Sequence, residues 1–325
     1  MKYNILCLGL CLGALAGCGG SGGSGGGDGG SGNTAPTPAA PSKLALQDLQ
    51  IPRSLVTYNG DLYVLSNRGV AQSSGQVLRY RGPAFDGRPE VVPRADWSFP
   101  YAYGLSVNTA AVSLSGFNDV YVASRDGLYA NTPTGYLPFG SAHYDSVLYH
   151  PQDRVYVARS LSSGAQGGIW VWRGGNFQSS PTAVSMKTGV DAAPLSRVTA
   201  LALGAGQRIF ATVDGPNGIG LLEIDPVTEQ ATVFATDAKF NQPSGLAHHA
   251  LTGRFYVANA GGQQLLQVSA DGKQVSVFKE GVADKLCQPS ALAILGNDLF
   301  VANATNCSDS SLANAVIKMG LPTTP

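Results

Sequence analysis

One strand pattern returns six times along this chain, and it limits the fold more than any other feature. It reads Asp61-Leu-Tyr-Val-Leu-Ser-Asn67, Asp119-Val-Tyr-Val-Ala-Ser-Arg125, Arg154-Val-Tyr-Val-Ala-Arg-Ser160, Arg208-Ile-Phe-Ala-Thr-Val-Asp214, Arg254-Phe-Tyr-Val-Ala-Asn-Ala260 and Asp298-Leu-Phe-Val-Ala-Asn-Ala304. Its central aromatics, Tyr63, Tyr121, Tyr156, Phe210, Tyr256 and Phe300, lie 58, 35, 54, 46 and 44 residues apart, a mean of about 47. Short β-branched and aromatic runs between Gly and Pro are strands. A recurrence at this period means stacked copies of one supersecondary unit, and it exceeds what a helix pair or a leucine-rich repeat needs.

Each unit carries the grammar of a propeller blade. A strand of small residues precedes the aromatic one, clearest in Pro243-Ser-Gly-Leu-Ala247 and Pro289-Ser-Ala-Leu-Ala293, and suits the crowded innermost position. A third strand follows, as in Gln76–Tyr80, Gly168–Trp172, Gly220–Ile224, Gln264–Val268 and Asn314–Lys318, and then a fourth, as in Gln230–Phe234 and Gln274–Phe278. The expected fold is all-β, a six-bladed β-propeller over residues 43–325. The stretch from Pro93 to Leu114, with Trp97 and Tyr101, is an insertion or the remnant of another blade, so a seven-bladed ring is the alternative. The sixth unit stops at its third strand near Met319 and leaves an open edge. The segment Lys43-Leu-Ala-Leu-Gln47 is expected to fill that slot and close the ring from the N-terminus.

Residues 1–17 read as an export signal, with Lys2, an apolar run from Ile5 to Leu15, and small residues before a cysteine. Leu15-Ala-Gly-Cys18 resembles the lipobox of bacterial lipoproteins, which implies lipidation of Cys18 with palmitate-type chains. Several acyl chains make such an anchor stable, at about 0.8 kcal/mol per buried methylene. Gly19 after the cysteine favours the outer membrane. Residues 18–42 are a lipidated Cys and a Gly/Ser/Pro linker with a reach of roughly 25 Å, and no strand precedes its glycines to make them a phosphate loop. Cys7 and Cys11 leave with the signal, so Cys287 and Cys307 remain as a pair in an oxidising compartment. A disulfide between them is expected, worth about 3 kcal/mol by loop closure.

The Pro-x-Gly-Leu-Ala strand, a turn, and an aromatic-Val-Ala-Asn strand resemble the NHL repeat and the SMP-30/gluconolactonase-like six-bladed propellers, most clearly in units five and six. In such propellers the loops entering inner strands and leaving second strands meet at one mouth of the channel. The resemblance therefore brings Arg53, Tyr103, Asp145, Arg197, Ser244 and Ser290 together with Asn67, Arg68, Arg125, Arg159, Asp214, Asn259 and Asn303. The lactonases of that group hold a divalent cation there, and Asp214, Asn259 and Asn303 are this chain's candidate ligands for calcium or zinc. Arg53, however, stands in Ile51-Pro-Arg-Ser54 where the family's acid is expected.

Guanidinium groups at Arg53, Arg68, Arg125, Arg159 and Arg197 favour a carboxylate, phosphate or acidic sugar through paired charge-assisted hydrogen bonds. The bland reading makes them solvated loop residues, some paired with Asp126 or Asp145. With 21 basic and 21 acidic residues the chain has no field to draw nucleic acid. His248-His249 falls in a turn on the opposite face, His143 and His150 have no partner in the sequence pattern, and no nucleophile elbow or His-Glu-x-x-His motif exists. Trp170 and Trp172 share one sheet face. The reading is a monomeric, lipid-anchored envelope propeller without a cofactor, serving as a binding or scaffold module for an envelope protein or an anionic small ligand. Its alternative is a divalent-metal-dependent lactonase or hydrolase.

Overall fold

The computed structural model describes residues 37–68, 74–92, 99, 101–109, 119–132, 135–139, 143–159, 167–173, 180–187, 193–215 and 218–324. Cys18, the signal segment, most of the linker, Pro93, Trp97 and Leu114 lie outside them. Six antiparallel sheets follow one another around a ring, each running from an innermost strand outward. Blade one is Ile51–Tyr58, Asp61–Arg68, Ser74–Tyr80 and Glu90–Val92; blade two is Ala102–Val107, Val120–Ser124, Gly127–Thr132 and Gly135–Phe139. Blade three is Ser146–His150, Arg154–Arg159, Gly168–Arg173 and Thr182–Ala183; blade four is Val198–Leu203, Ile209–Val213, Ile219–Asp225 and Gln230–Thr236. Blade five is Pro243–His248, Phe255–Asn259, Gln264–Val268 and Val275–Glu280; blade six is Pro289–Leu295, Asp298–Asn303, Val316–Gly320 and, outermost, Ser42–Lys43. Ala102–Val107, inside the ambiguous stretch, is the inner strand of blade two, so the count is six and not seven.

The ring closes through the N-terminal strand. Ser42 and Lys43 pair antiparallel with Lys318 and Ile317, Leu44 donates to the Val316 carbonyl, and the Ala39 carbonyl accepts from Gly320. The sheet thus begins at the end of the segment read as linker, slightly before Lys43. Leu44, Leu46 and Leu49 then pack on the core shared by blades six and one.

The repeated aromatic has a defined task. Tyr63, Tyr121, Tyr156, Phe210, Tyr256 and Phe300 are at most 4% exposed, and each sits in the apolar cluster between its own blade and the next. One large ring per seam fills the wedge that opens between neighbouring twisted sheets, where the hydrophobic contribution of each is of the order of 2–3 kcal/mol. Trp172 is buried in the seam between blades two and three, with Trp170 packed against the same cluster. Past Thr182–Ala183 the chain crosses to blade four, where Ser185–Met186 runs parallel to Gln230–Ala231 and covers that outer edge.

The innermost strands are joined by a closed circuit of hydroxyl hydrogen bonds. Ser54 Oγ accepts from the Leu105 N–H, Ser106 Oγ from Tyr149 and Ser146 Oγ from Leu201. Thr199 then donates to the Pro243 carbonyl, Ser244 to Pro289 and Thr57 to Ile294. Every blade is so tied to its successor. Between these contacts backbones come very close: a Cβ on Gly104 would stand 2.8 Å from Ser146 Cα, and one on Gly245 2.9 Å from Ala291 Cα. Small residues are required there by the approach of adjacent blades.

Candidate functional site

A repeated β-bulge decides which side chains enter the channel. Inner and second strands slip by one residue between Pro52 and Ser54, Ala102 and Gly104, Val198 and Ala200, Pro243 and Gly245, and Pro289 and Ala291. The extra residues are Arg53, Tyr103, Thr199, Ser244 and Ser290. In blade three Asp145 donates its N–H to the Ala158 carbonyl while Ser146 faces the same residue, which puts Asp145 in the equivalent place. A bulge re-aims the extra side chain and increases the local twist.

All six of these residues line one cavity of about 180 Å³. Two residues further along each strand comes an aliphatic ring, Leu55, Leu105, Val147, Leu201, Leu246 and Leu292, which lines the same cavity. The site is a polar collar on an apolar throat.

The collar is not symmetric. On blades four to six the Thr199, Ser244 and Ser290 hydroxyls donate to main-chain carbonyls. On blades one to three it carries charge and aromatic surface. Burial lowers the Arg53 pKa because desolvation disfavours the cation, with Tyr103 opposing the shift. Desolvation likewise raises the Tyr103 pKa, with Arg53 and Arg125 pulling it back and Asp145 and Tyr101 adding to the rise. The His143 ring stacks on Tyr103 with centroids 4.9 Å apart, and its Nε2 lies 3.0 Å from Asp145 Oδ1. Arg125 lies over the Tyr101 ring at 5.1 Å.

Of the residues expected at this mouth, Arg53, Tyr103, Asp145, Ser244 and Ser290 converge on the cavity. Arg197 does not line it. It is exposed, donates to the Asp214 carbonyl and accepts from the Asp214 N–H, and the bulge gives its place to Thr199. Asp214 is exposed beside it. Arg68 is exposed at the end of its strand opposite Ser74, and Arg159 lies over the Trp170 ring at 4.8 Å. None of Arg68, Arg125 and Arg159 lines the cavity.

The strand-end asparagines are fully buried and brace the loops. Asn259 accepts from the Asn241 N–H and donates to the Lys239 carbonyl; Asn303 accepts from Cys287 and donates to Lys285 and Leu312. Asn67 donates to the Ala102 carbonyl of the next blade. The carboxamides of Asn259 and Asn303 are thus engaged with the main chain of the loops they brace. Among the described residues no three His, Cys, Asp or Glu side chains gather as a metal-binding group. Cys287 and Cys307, with Cα atoms 5.5 Å apart, form a disulfide on the loops flanking Asn303.

Two of the remaining histidines, His249 and His150, serve the scaffold. His249 bridges Thr252 and Asn297, and His150 Nε2 lies 2.8 Å from the Gln207 carbonyl. His143, read from the sequence as having no partner, has one two residues away in Asp145, and its stack on Tyr103 joins residues forty positions apart. Thr199 was missed because the count along blade four stopped two residues early at Arg197, although the alignment of Thr199 with Ser244 and Ser290 is a usable signal.

This architecture defines a six-bladed β-propeller with a polar collar at one end of a narrow channel. Solved structures agree on the fold. The PQQ-bound aldose sugar dehydrogenase from Streptomyces coelicolor superposes with a TM-score of 0.58 at 16% identity, covering 88% of this chain and 99% of that one. Regucalcin, a calcium-binding protein from Agrobacterium tumefaciens, gives 0.57 at 15% identity over 86% and 92%. A luciferin-regenerating enzyme gives 0.61 at 13% identity over 87% and 95%. No protein-family model and no curated protein matches the sequence.

Proposed function

We propose that this chain is a lipoprotein of the bacterial envelope, anchored through Cys18 to the outer membrane, whose propeller mouth is a binding module for a compact anionic group. The observation that carries the reading is Arg53, a guanidinium aimed into the channel by a bulge and partly desolvated there. A planar, partly buried guanidinium forms strong bidentate hydrogen bonds with a carboxylate or phosphate. The anion is a free small molecule or an acidic group presented by an envelope protein. Ligand is recognised without turnover and without a metal.

Two experiments test it. Titration of the full-length chain with small carboxylates, phosphate and acidic sugars should give binding that Arg53→Gln weakens by about tenfold or more, the scale of one charge-assisted hydrogen bond. Equal affinity in the variant contradicts the site. Expression with labelled palmitate should label the chain and leave Cys18→Ser unlabelled; an unlabelled parent contradicts the anchor.

A second reading, a divalent-metal-dependent lactonase or related hydrolase, is favoured by the His143–Asp145 pair beside the cavity and by the enzymes among the similar folds. In it the Oδ1 atoms of Asn259 and Asn303, each accepting one backbone N–H, would offer their second lone pair to the cation. A rise in melting temperature with calcium or zinc, abolished in Asp214→Asn, supports it; an unchanged melting temperature supports the metal-free module.

A further inference from the structure

The collar holds charges of both signs, and that narrows what it can bind. Arg53 on blade one and Asp145 on blade three stand on either side of the blade carrying Tyr103, and all three line one cavity. Both charges act on Tyr103 electrostatically, with opposite effect. A simple anion seated on Arg53 brings its charge towards Asp145, and a simple cation on Asp145 meets Arg53. With all three side chains partly buried, both encounters are screened less than in open solvent. A molecule carrying both charges offsets both at once.

We propose that the channel mouth binds a compact zwitterion of the α-amino acid class, with its carboxylate on Arg53 and its ammonium on Asp145. This inference rests on the anion-binding reading above and names the class of ligand for the same site. Three further observations agree with it. A cavity of about 180 Å³ has room for a small amino acid. The contact with His143 Nε2 at Asp145 Oδ1 fixes the orientation of the carboxylate that receives the ammonium. The aliphatic ring of Leu55, Leu105, Val147, Leu201, Leu246 and Leu292 faces an apolar side chain rather than a second polar group. With one cation and one anion in place, the hydroxyls of blades four to six are left to the scaffold, as their carbonyl contacts show.

Calorimetric titration of the full-length chain in detergent with L-alanine, propionate and ethylammonium, at matched ionic strength, separates the cases. L-alanine should bind about tenfold or more tighter than either single-charge probe. In Asp145→Asn the affinity for L-alanine should fall to that for propionate, while propionate binds as well as before or better. Arg53→Gln should remove both. Propionate binding as tightly as L-alanine in the parent chain, in an Arg53-dependent way, overturns the zwitterion and leaves the anion site standing. If propionate binds equally to the parent and to Arg53→Gln, or no probe binds, both readings fall. The comparison of probes on the parent chain stands even if a variant does not fold.

Discussion

Thr199 shows how one inserted residue chooses the side chain that reaches a channel. A register count along blade four stops at Arg197, yet the slip between Val198 and Ala200 turns Thr199 inward and leaves Arg197 in solvent. Arg53, Tyr103, Asp145, Ser244 and Ser290 were legible because each sits at the same place before a small-residue strand. The buried asparagines were legible as a recurring position, but the sequence did not show that Asn259 and Asn303 brace the loops beside them, because those bonds go to backbone brought close only by the fold. At this scale two outcomes follow. Ser106→Ala removes the acceptor of the Tyr149 N–H at a buried seam and should cost about 1–3 kcal/mol in denaturant unfolding; an unchanged midpoint would show the circuit to be dispensable. His150 and His248 both have pKa values lowered from 6.5, chiefly by desolvation, so the folded state holds them neutral while the unfolded state takes up protons first. Their stabilisation is complete above about pH 6.5 and is lost as pH falls below it towards the depressed folded values. Melting temperature should drop on acidification from pH 7.5 to 5, and less steeply in His150→Gln/His248→Gln; parallel profiles would contradict this.

Among elements, the closing strand carries the most consequence for its size. Only two residues pair formally with Val316–Gly320, but Leu44, Leu46 and Leu49 behind them cover the seam of blades six and one. Deleting residues 39–49 exposes that seam and the edge of blade six, and should lower the melting temperature by about 10 °C or more. Deleting residues 19–36 should leave it nearly unchanged, and equal losses from the two deletions would refute the closure. The slot was readable because the sixth unit shows three strands of its own and the apolar Leu44-Ala-Leu46 segment lies ahead of the first. The segment Thr182–Met186, which pairs with blade three and then blade four, was not readable: it is short, has no alternating pattern, and gains its place only from two edges made elsewhere.

Seen whole, the molecule is neutral in sum and polarised in detail, with its charged collar confined to blades one to three. Balanced composition excluded a global field but said nothing of that local arrangement, which needs six separated segments to meet on one axis. The closed ring of seams holds the collar's six strands together, and the Cys287–Cys307 bridge ties the loops at the seam of blades five and six. Cys287→Ala/Cys307→Ala should cost about 3 kcal/mol, a fall of the order of 5–10 °C in melting temperature; no fall would mean that the seams alone hold those loops. The most direct test of the whole account is a crystal structure of the full-length chain with bound L-alanine. Electron density enclosed by Arg53, Tyr103 and Asp145, with the carboxylate at hydrogen-bond distance from the Arg53 guanidinium, is the predicted result. Density on a blade edge or outer loop, with the collar holding only water, would contradict it.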